Sequence, residues 1–195
     1  MPPRSARSAD EAPRSQLDRQ SWIDAAIDVL ANDGLDGLRV ETLAKRCKVT
    51  KGSFYWHFKD RQDLLEAVLA VWKDGRIADI VKQTRAEPGR ELARIYHVID
   101  VYSAARNSKG IRIELAVRDW ARRDPLAAAV VKEVDAKRLD CAARLFVAGG
   151  LTEREAVSRS MLLYAYVFGQ SLMMYEGYAA DLAQLKGWIA DRIAR

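Results

Sequence analysis

The chain has 195 residues, of which 49% are hydrophobic and 30% charged, and a net charge of +5; this composition is typical of a folded globular protein and excludes disordered and fibrous classes. No apolar run reaches the roughly 20 residues that a membrane-spanning helix needs, and the amino terminus lacks the apolar segment of a secretory signal. The two cysteines, Cys47 and Cys141, suggest no disulfide framework, so we expect a cytoplasmic protein.

Along the chain, a tail of 16 residues rich in proline, serine and arginine is expected to be disordered. From there apolar residues recur at helical spacing, and no stretch alternates with period two for long enough to suggest a sheet. Asp60 with Asp63, and Thr152 with Glu155, form capping patterns at two helix starts. We therefore predict an all-α fold of about nine helices, at about 17–33, 40–47, 51–57, 60–85, 90–106, 111–122 and 125–148, with one more starting at 152 and a last one at 181–194.

Residues 161–175 are apolar nearly all round. This segment is too short to span a membrane, and a helix that is hydrophobic on every face is buried on every face. Either it is the central helix of a monomeric bundle, or one face packs on its own core and the other on a second subunit. We favour the dimer, because a helix near the chain terminus rarely becomes central.

The positive charge is concentrated in one segment. Between Arg39 and Arg61, seven basic residues stand against two acidic ones, so this segment carries a net charge of +5, as much as the whole chain. Such a cluster is the electrostatic footprint of a phosphate-binding surface, although a solvated basic face has the same composition. Charge alone leaves both interpretations open.

The second of the two short helices combines hydroxyl, aromatic and basic side chains. The Thr50 side chain is expected to cap it, and Phe54 and Phe58, four residues apart, to face inward and anchor it. Tyr55 and Trp56 are expected to face outward, because so many aromatic side chains cannot all point inward on one short helix. Their rings and polar tips suit phosphates, sugars and thymine methyl groups.

Residues 17–71 resemble the DNA-binding domain of the tetracycline-repressor (TetR) family of bacterial transcription regulators. The resemblance rests on matching stretches, namely Asn32-Asp33-Gly34, Leu43-Ala44, residues 49–58 (VTKGSFYWHF), and Lys59-Asp60 leading to Leu64-Leu65. It implies an all-helical homodimer with an amino-terminal three-helix domain, whose third helix enters the major groove, and a variable carboxy-terminal domain that dimerises and often binds a small ligand. The expected division is a disordered tail at 1–16, a helix-turn-helix domain at 17–60, and a ligand-binding and dimerisation domain at 61–195.

At the matching positions, the resemblance implies two kinds of DNA contact. Phosphate contacts are implied for Ser53, Tyr55, His57 and Lys59. Base-edge or methyl contacts are implied for Lys51, Gly52, Tyr55 and Trp56, and a contact with backbone or bases for Thr42. Three further candidates complete the expected DNA-binding set: Arg39, Lys48 and Thr50.

Two positions depart from the family pattern. Relatives usually have glycine in the turn where this chain has Lys48, and a non-glycine residue in the left-handed region costs about 1 kcal/mol or more. Either the turn is altered, or Lys48 is kept there for an extra phosphate contact. Relatives often have threonine or serine at the start of the preceding helix, where this chain has Arg39, so the side-chain cap is lost and Arg39 is free to contact DNA.

For the rest of the chain, the resemblance implies that helices four to seven enclose a ligand pocket and that helices eight and nine form the four-helix bundle of the dimer. The candidate pocket residues are aromatic and apolar side chains on inward stripes: Trp72, Tyr96, Ile99, Tyr102, Trp120, Phe146, Tyr164 and Phe168. Ordinary core packing is the alternative for each of them. Glu114 and Arg118, four residues apart, are expected to form a supporting ion pair at the surface.

An enzyme is disfavoured, because the two histidines and two cysteines show no metal-ligand spacing and there is no phosphate-binding glycine loop or nucleophile elbow. We therefore expect neither a metal nor a cofactor. A helical scaffold or adaptor would account for the bundle but not for the basic, aromatic segment, and it is kept as the alternative. The expected function is a homodimeric transcriptional repressor that places two recognition helices about 34 Å apart, or somewhat more, on a pseudo-palindromic operator in double-stranded DNA. A small-molecule effector is expected to release it, and no membrane partner is expected.

Overall fold

The computed structural model describes residues 17–103, 108–173, 177–178 and 181–195, without the side chains of residues 102, 103 and 108. Throughout these ranges the regular structure is helical and contains no strand, so the predicted all-α class is confirmed. Within the same ranges, no helix combines the length and the apolar composition that crossing a membrane requires. The tail expected at 1–16 lies outside the described residues.

The order of the helices follows the prediction. They are α1 (Arg19–Asp33), α2 (Val40–Arg46), α3 (Lys51–Phe54), α4 (Arg61–Thr84), α5 (Glu91–Ser103), α6 (Ser108–Ala121), α7 (Pro125–Ala148), α8 (Glu153–Leu172) and α9 (Leu182–Ala194), with one 3₁₀ turn at Leu35–Gly37. The bounds differ from the expected ones by at most three residues, and α3 is a single turn.

Side-chain oxygens cap several helix starts. The Asp63 amide donates to Oδ1 of Asp60 at 2.9 Å. The Glu155 amide donates to Oγ1 of Thr152 at 3.3 Å, so both capping patterns expected from the sequence are present. Three aspartates cap other helices in the same way: Asp18, Asp124 and Asp181. A cap of this kind contributes about 1 kcal/mol, which is why local sequence placed these helix starts well.

The buried apolar side chains form two clusters. The first joins α1 to α4 with α6 and α7, and its largest members include Trp22, Phe54, Leu64, Trp72 and Trp120. The second joins α5 with α7, α8 and α9, and includes Ile99, Phe146, Leu163, Val167 and Ile193. Because α4 belongs to the first cluster, the packing is continuous across the expected domain boundary between residues 60 and 61.

The α6 helix lies against α1. It thereby connects residues 61–195, the body of the protein, to the helix-turn-helix of residues 17–60. Val117 and Trp120 of α6 are buried in the same cluster as Trp22 of α1. At the surface, Nζ of Lys109 lies 2.6 Å from Oδ1 of Asp28, which adds an ion pair between the two helices. A displacement of α6 would therefore act directly on the first helix of the chain.

The long α8 helix is buried on one side only. Its inward side packs Ala156, Leu163, Tyr164 and Val167 into the core. Its other side exposes large apolar residues, namely Val157, Met161, Leu162 and Leu172, and the neighbouring α9 exposes Trp188. In the single chain, the segment expected to be buried on every face therefore presents an apolar surface to solvent.

Candidate nucleic-acid interface

Aromatic packing holds α3 in place from below. Phe54 is fully buried, with its ring edge-to-face at 5.4 Å from the Trp22 ring and stacked at 5.3 Å on the Phe58 ring. The Arg19 guanidinium lies 4.7 Å from the centroid of the Phe58 ring. Aromatic pairs of this geometry add about 0.5–1.5 kcal/mol beyond the burial of their area. The inward orientation predicted for Phe54 and Phe58 is confirmed.

The turn between α2 and α3 contains Lys48 in the left-handed region, with φ at 57°. The Lys48 amide donates to the Lys45 carbonyl at 3.2 Å and the Val49 amide to the Ala44 carbonyl at 3.0 Å, which is the pattern of a Schellman motif. The turn thus keeps the geometry that favours glycine, and Lys48 bears a strain of about 1–2 kcal/mol. Its charge follows the carboxy-terminal end of α2, where the helix dipole favours a cation.

The α3 helix ends at Phe54 instead of continuing to residue 57. The amides of His57 and Phe58 both donate to the Phe54 carbonyl, at 3.0 and 3.1 Å, which tightens the helical path. The side-chain cap expected from Thr50 is wrong. The Ser53 amide donates to the Thr50 carbonyl at 3.1 Å, and this bond within a single tight turn takes up the amide that the hydroxyl would have served.

Most of the residues expected to contact DNA lie at the surface. Tyr55 is 58% exposed and Trp56 is 81% exposed, although large aromatic side chains are usually buried to a high degree. Ser53 and His57 are half-buried. The others are exposed: Arg39, Thr42, Lys48, Thr50, Lys51, Gly52 and Lys59. The outward orientation of Tyr55 and Trp56 is confirmed, whereas the DNA contacts of the whole set stay predictions.

Backbone carbonyls bind two of the arginines in the basic segment. Arg61 donates from Nε to the Leu38 carbonyl at 2.5 Å and from Nη2 to the Leu35 carbonyl at 3.2 Å, which ties the start of α4 to the loop before α2. Arg39 donates from Nε to the Asp36 carbonyl at 3.2 Å and, as expected, its side chain does not cap α2. Arg61 therefore stabilises the fold, and the positive charge available to phosphates is smaller than the count of basic residues indicates.

One acidic residue lies among these exposed bases. Glu41, in the first turn of α2, forms an ion pair with Lys51, the first residue of α3. The hydrogen bond from Lys51 lowers the pKa of the Glu41 carboxyl, and the same bond raises the pKa of the Lys51 ammonium group. The pair is charged on both sides at neutral pH. Sequence reasoning did not single out Glu41, because ten residues separate it from Lys51.

The residues expected to line a ligand pocket lie in separate places. Three are packed in the two cores: Trp72, Trp120 and Phe146. Tyr96 and Ile99 line a groove of about 550 Å³ between α5 and α9, where the Tyr96 hydroxyl donates to the Asp191 carboxylate. The side chain of Tyr102 lies outside the described residues. The arrangement therefore does not gather these side chains into one cavity.

The remaining two candidates, Tyr164 and Phe168, line a cavity of about 260 Å³ between α6, α7 and α8. The same cavity is lined by Arg118, whose guanidinium lies 4.2 Å from the centroid of the Phe168 ring. Asp135 accepts from Nη1 of Arg118 at 2.9 Å. A pocket in this place combines aromatic faces with paired charges.

A buried ion pair adjoins this cavity, which Arg138 also lines. Nη2 of Arg138 donates to Oε2 of Glu114 at 3.0 Å, and the two side chains are 1% and 2% exposed. Arg118 donates from Nε to Oε1 of Glu114 at 2.9 Å. The expectation that Glu114 and Arg118 form a surface pair is therefore wrong, because packing of α7 and α8 over α6 covers the carboxylate. The sequence contains one indication of this burial, because Arg138 is a charged residue on the apolar stripe of its helix.

Residues 23–68 match the family model described as bacterial regulatory proteins of the tetR family. The matched segment contains the buried Phe54 anchor, the left-handed Lys48 turn and the exposed Tyr55 and Trp56. The match to the tetR family is thus a match of the amino-terminal segment that contains the helix-turn-helix. The chain is also 39% identical over 54 residues to the tetracycline repressor protein class D of Escherichia coli, and the alignment covers 28% of this chain and 25% of the repressor. The chain thus spans about a quarter of the length of the curated relatives that it matches.

Solved structures share the fold over nearly the whole chain. A transcriptional regulator from Rhodococcus sp. Rha1 has a TM-score of 0.68 and 20% identity, covering 91% of this chain and 94% of its own. The multidrug binding protein EbrR, in complex with imidazole, has a TM-score of 0.60 and 22% identity, covering 91% of this chain and 93% of its own. Because these identities are low, the likeness of the chain to these structures is one of fold.

Proposed function

We propose that this protein is a transcriptional regulator that binds a pseudo-palindromic operator in double-stranded DNA as a homodimer. It acts as a repressor, and a small-molecule effector releases it. In this proposal residues 17–60 bind the operator, and residues 61–195 dimerise and bind the effector.

The observation that carries this proposal is the exposure of Tyr55 and Trp56 on a helical turn whose other aromatic residues are buried. Leaving two large aromatic side chains in water forgoes roughly 1.5–3 kcal/mol of burial for each. Contact with sugars, phosphates and thymine methyl groups gives them a partner. Exposed bases lie next to them in the chain, among them Lys51 and Lys59, and these suit the phosphates on either side of the groove.

Dimerisation is supported by the exposed apolar surface of α8 and α9. Met161 and Leu172 of α8 and Trp188 of α9 are each more than half exposed in the single chain. Burial of apolar surface contributes about 25 cal/mol for each Å², and a twofold axis would bring this surface against its own copy. The same axis relates the two recognition helices, as a pseudo-palindromic operator requires.

An effector site is supported by the cavity lined by Arg118, Tyr164 and Phe168. Arg118 lies on α6, and α6 packs against α1 of the helix-turn-helix. A ligand that binds one position of α6 more tightly than another would shift the helix-turn-helix and thereby change the affinity for DNA. Titration of candidate small molecules into the protein–DNA complex, with release of the duplex as the readout, tests this part of the proposal.

The test of DNA binding is fluorescence anisotropy of the full-length protein with duplex DNA from upstream of its own gene, between about 50 and 200 mM salt. A dimer that contacts several phosphates is expected to lose affinity by orders of magnitude over this range. Trp56→Ala should weaken binding by about tenfold or more, while Leu126→Ala, which removes an exposed apolar side chain from α7, should not. Absence of duplex binding at low salt would contradict the proposal and favour the helical scaffold.

The test of dimerisation is sedimentation equilibrium of Trp188→Glu. A carboxylate here can pair with Arg192, whose guanidinium lies 5.0 Å from the Trp188 ring in the single chain. Burying this charged pair against a second copy costs more than burying the ring, so the dimer should dissociate at concentrations at which the wild-type protein is dimeric. Far-ultraviolet circular dichroism should show unchanged helix content, because Trp188 is exposed in the single chain. A variant that stays dimeric would show that the interface lies elsewhere.

A further inference from the structure

Glu41 is an acidic side chain on the part of the molecule proposed to bind a polyanion. Its side chain is 63% exposed, and that of its ion-pair partner Lys51 is 53% exposed. Phosphates repel a carboxylate, so an unpaired glutamate here would weaken binding to every DNA sequence. The pair with Lys51 has no net charge, and it therefore contributes little to the general attraction of the protein for DNA.

Stability does not account for this pair. Both side chains are solvent-exposed, and exposed ion pairs of this kind often contribute nothing measurable to folding. The position of the pair offers another explanation. Glu41 lies in the first turn of α2 and Lys51 begins α3, so the pair bridges the amino-terminal ends of the two helices of the helix-turn-helix. In that motif, the amino-terminal residues of the second helix contact base edges.

We propose that Glu41 and Lys51 together recognise one C·G base pair in each half of the operator. The Glu41 carboxylate accepts a hydrogen bond from the cytosine N4 amino group, and the Lys51 ammonium group donates to O6 or N7 of the paired guanine. This proposal rests on the DNA-binding function proposed above. It adds Glu41 to the specificity-determining residues and assigns a base pair to Lys51.

The chemistry of the base pair matches the chemistry of the ion pair. In the major groove a C·G pair presents a donor on cytosine beside two acceptors on guanine, and glutamate and lysine are suited to these two edges. The hydrogen bond between Glu41 and Lys51 orders two long side chains before DNA arrives, which reduces the entropy that binding must remove. A reversed G·C pair and a T·A pair place groups of the wrong polarity against both charges, and an A·T pair puts the thymine methyl group in the place of guanine N7, so the pair also acts against incorrect sequences.

The experiment starts from the preferred operator, selected by the full-length wild-type protein from a random duplex library. Anisotropy is then measured on duplexes substituted symmetrically at each position. We expect one C·G position in each half-site at which Glu41→Ala and Lys51→Met each lose about tenfold in discrimination. The double variant should lose little more than either single variant, because both side chains serve the same base pair. Glu41→Ala should also bind unrelated duplexes more tightly than the wild-type protein.

A matched control is available in the body. Glu133 forms an ion pair of the same type with Lys73, at 3.2 Å between Nζ and Oε2 and away from the helix-turn-helix. Glu133→Ala removes the same charge and should leave the sequence preference unchanged. Thermal unfolding of Glu41→Ala should match that of the wild-type protein, which separates a loss of preference from a loss of folding.

Two results would overturn the proposal. If Lys51→Met weakens binding to all duplexes equally and reduces the salt dependence, Lys51 contacts a phosphate and not a base. If Glu41→Ala keeps the full preference at every position, the carboxylate recognises nothing. Both results leave the proposed function intact, whereas failure of the wild-type protein to bind any duplex would overturn that function and this proposal together.

Discussion

The helix-turn-helix exposes large aromatic side chains, whereas the body buries charged ones. In the helix-turn-helix, Tyr55 and Trp56 are exposed while every charged side chain stays near the surface. In the body, Glu114 and Arg138 are buried, and the apolar Trp188 is exposed. The first arrangement is visible in a window of a few residues, whereas the second depends on helices that are distant in the chain.

An exposed aromatic residue and a buried charge are both unfavourable, but they have different consequences for the fold. An exposed aromatic residue costs the fold little, since removing it leaves the core unchanged, and it is available to a partner. A buried charge affects the whole fold, because it is tolerated only while its counter-ion is present. Substitution of Trp56 should therefore weaken DNA binding with little effect on stability, whereas substitution of Glu114 or Arg138 should lower stability.

The largest effect on stability is expected for Arg138→Met. The change takes from the buried Glu114 carboxylate one of its two arginine partners and leaves it with Arg118 alone; breaking a buried ion pair in this way costs about 3–5 kcal/mol. Urea denaturation followed by circular dichroism measures the free energy of unfolding. The paired replacement Glu114→Leu with Arg138→Met removes both charges and should recover most of the loss. A loss below about 1 kcal/mol in the single variant would show that the pair does not need both charges.

A sharper form of the comparison uses two neighbouring aromatic residues. Phe54→Ala removes a fully buried ring and should lower the free energy of unfolding by about 3–5 kcal/mol. Trp56→Ala should change it by less than about 0.5 kcal/mol, as for other exposed positions. Parallel urea titrations and anisotropy measurements distinguish the two roles. A similar loss of stability in both variants would mean that the Trp56 ring packs on the protein.

The smallest effect is expected at the turn. Lys48→Gly relieves a left-handed strain of about 1–2 kcal/mol, but glycine gains entropy in the unfolded chain, which offsets about 0.4–1 kcal/mol. The net change should be a gain of up to about 1 kcal/mol. If Lys48 contacts a phosphate, the same variant should bind the operator more weakly with a smaller salt dependence. An unchanged salt dependence would remove Lys48 from the interface.

Much of the helix-turn-helix could be predicted from the sequence. The inward Phe54 and Phe58 and the outward Tyr55 and Trp56 followed from spacing alone, because neighbours on one short helix cannot share a face. The body was less predictable. The inward-facing stripes contain suitable aromatic residues, but Trp72 and Phe146 belong to different cores. Helical periodicity alone does not show which helix faces pack together.

The sequence by itself determined the helices, the capped starts at Asp60 and Thr152 and the exposed aromatic pair, because each depends on contacts within about one helical turn. Only the tertiary structure decided that Glu114 and Arg138 are buried together, that α6 lies on α1, and that Glu41 faces Lys51. These pairings join side chains on different helices, and no local preference specifies them. They follow from how the helices pack, which depends on the shape of the whole core.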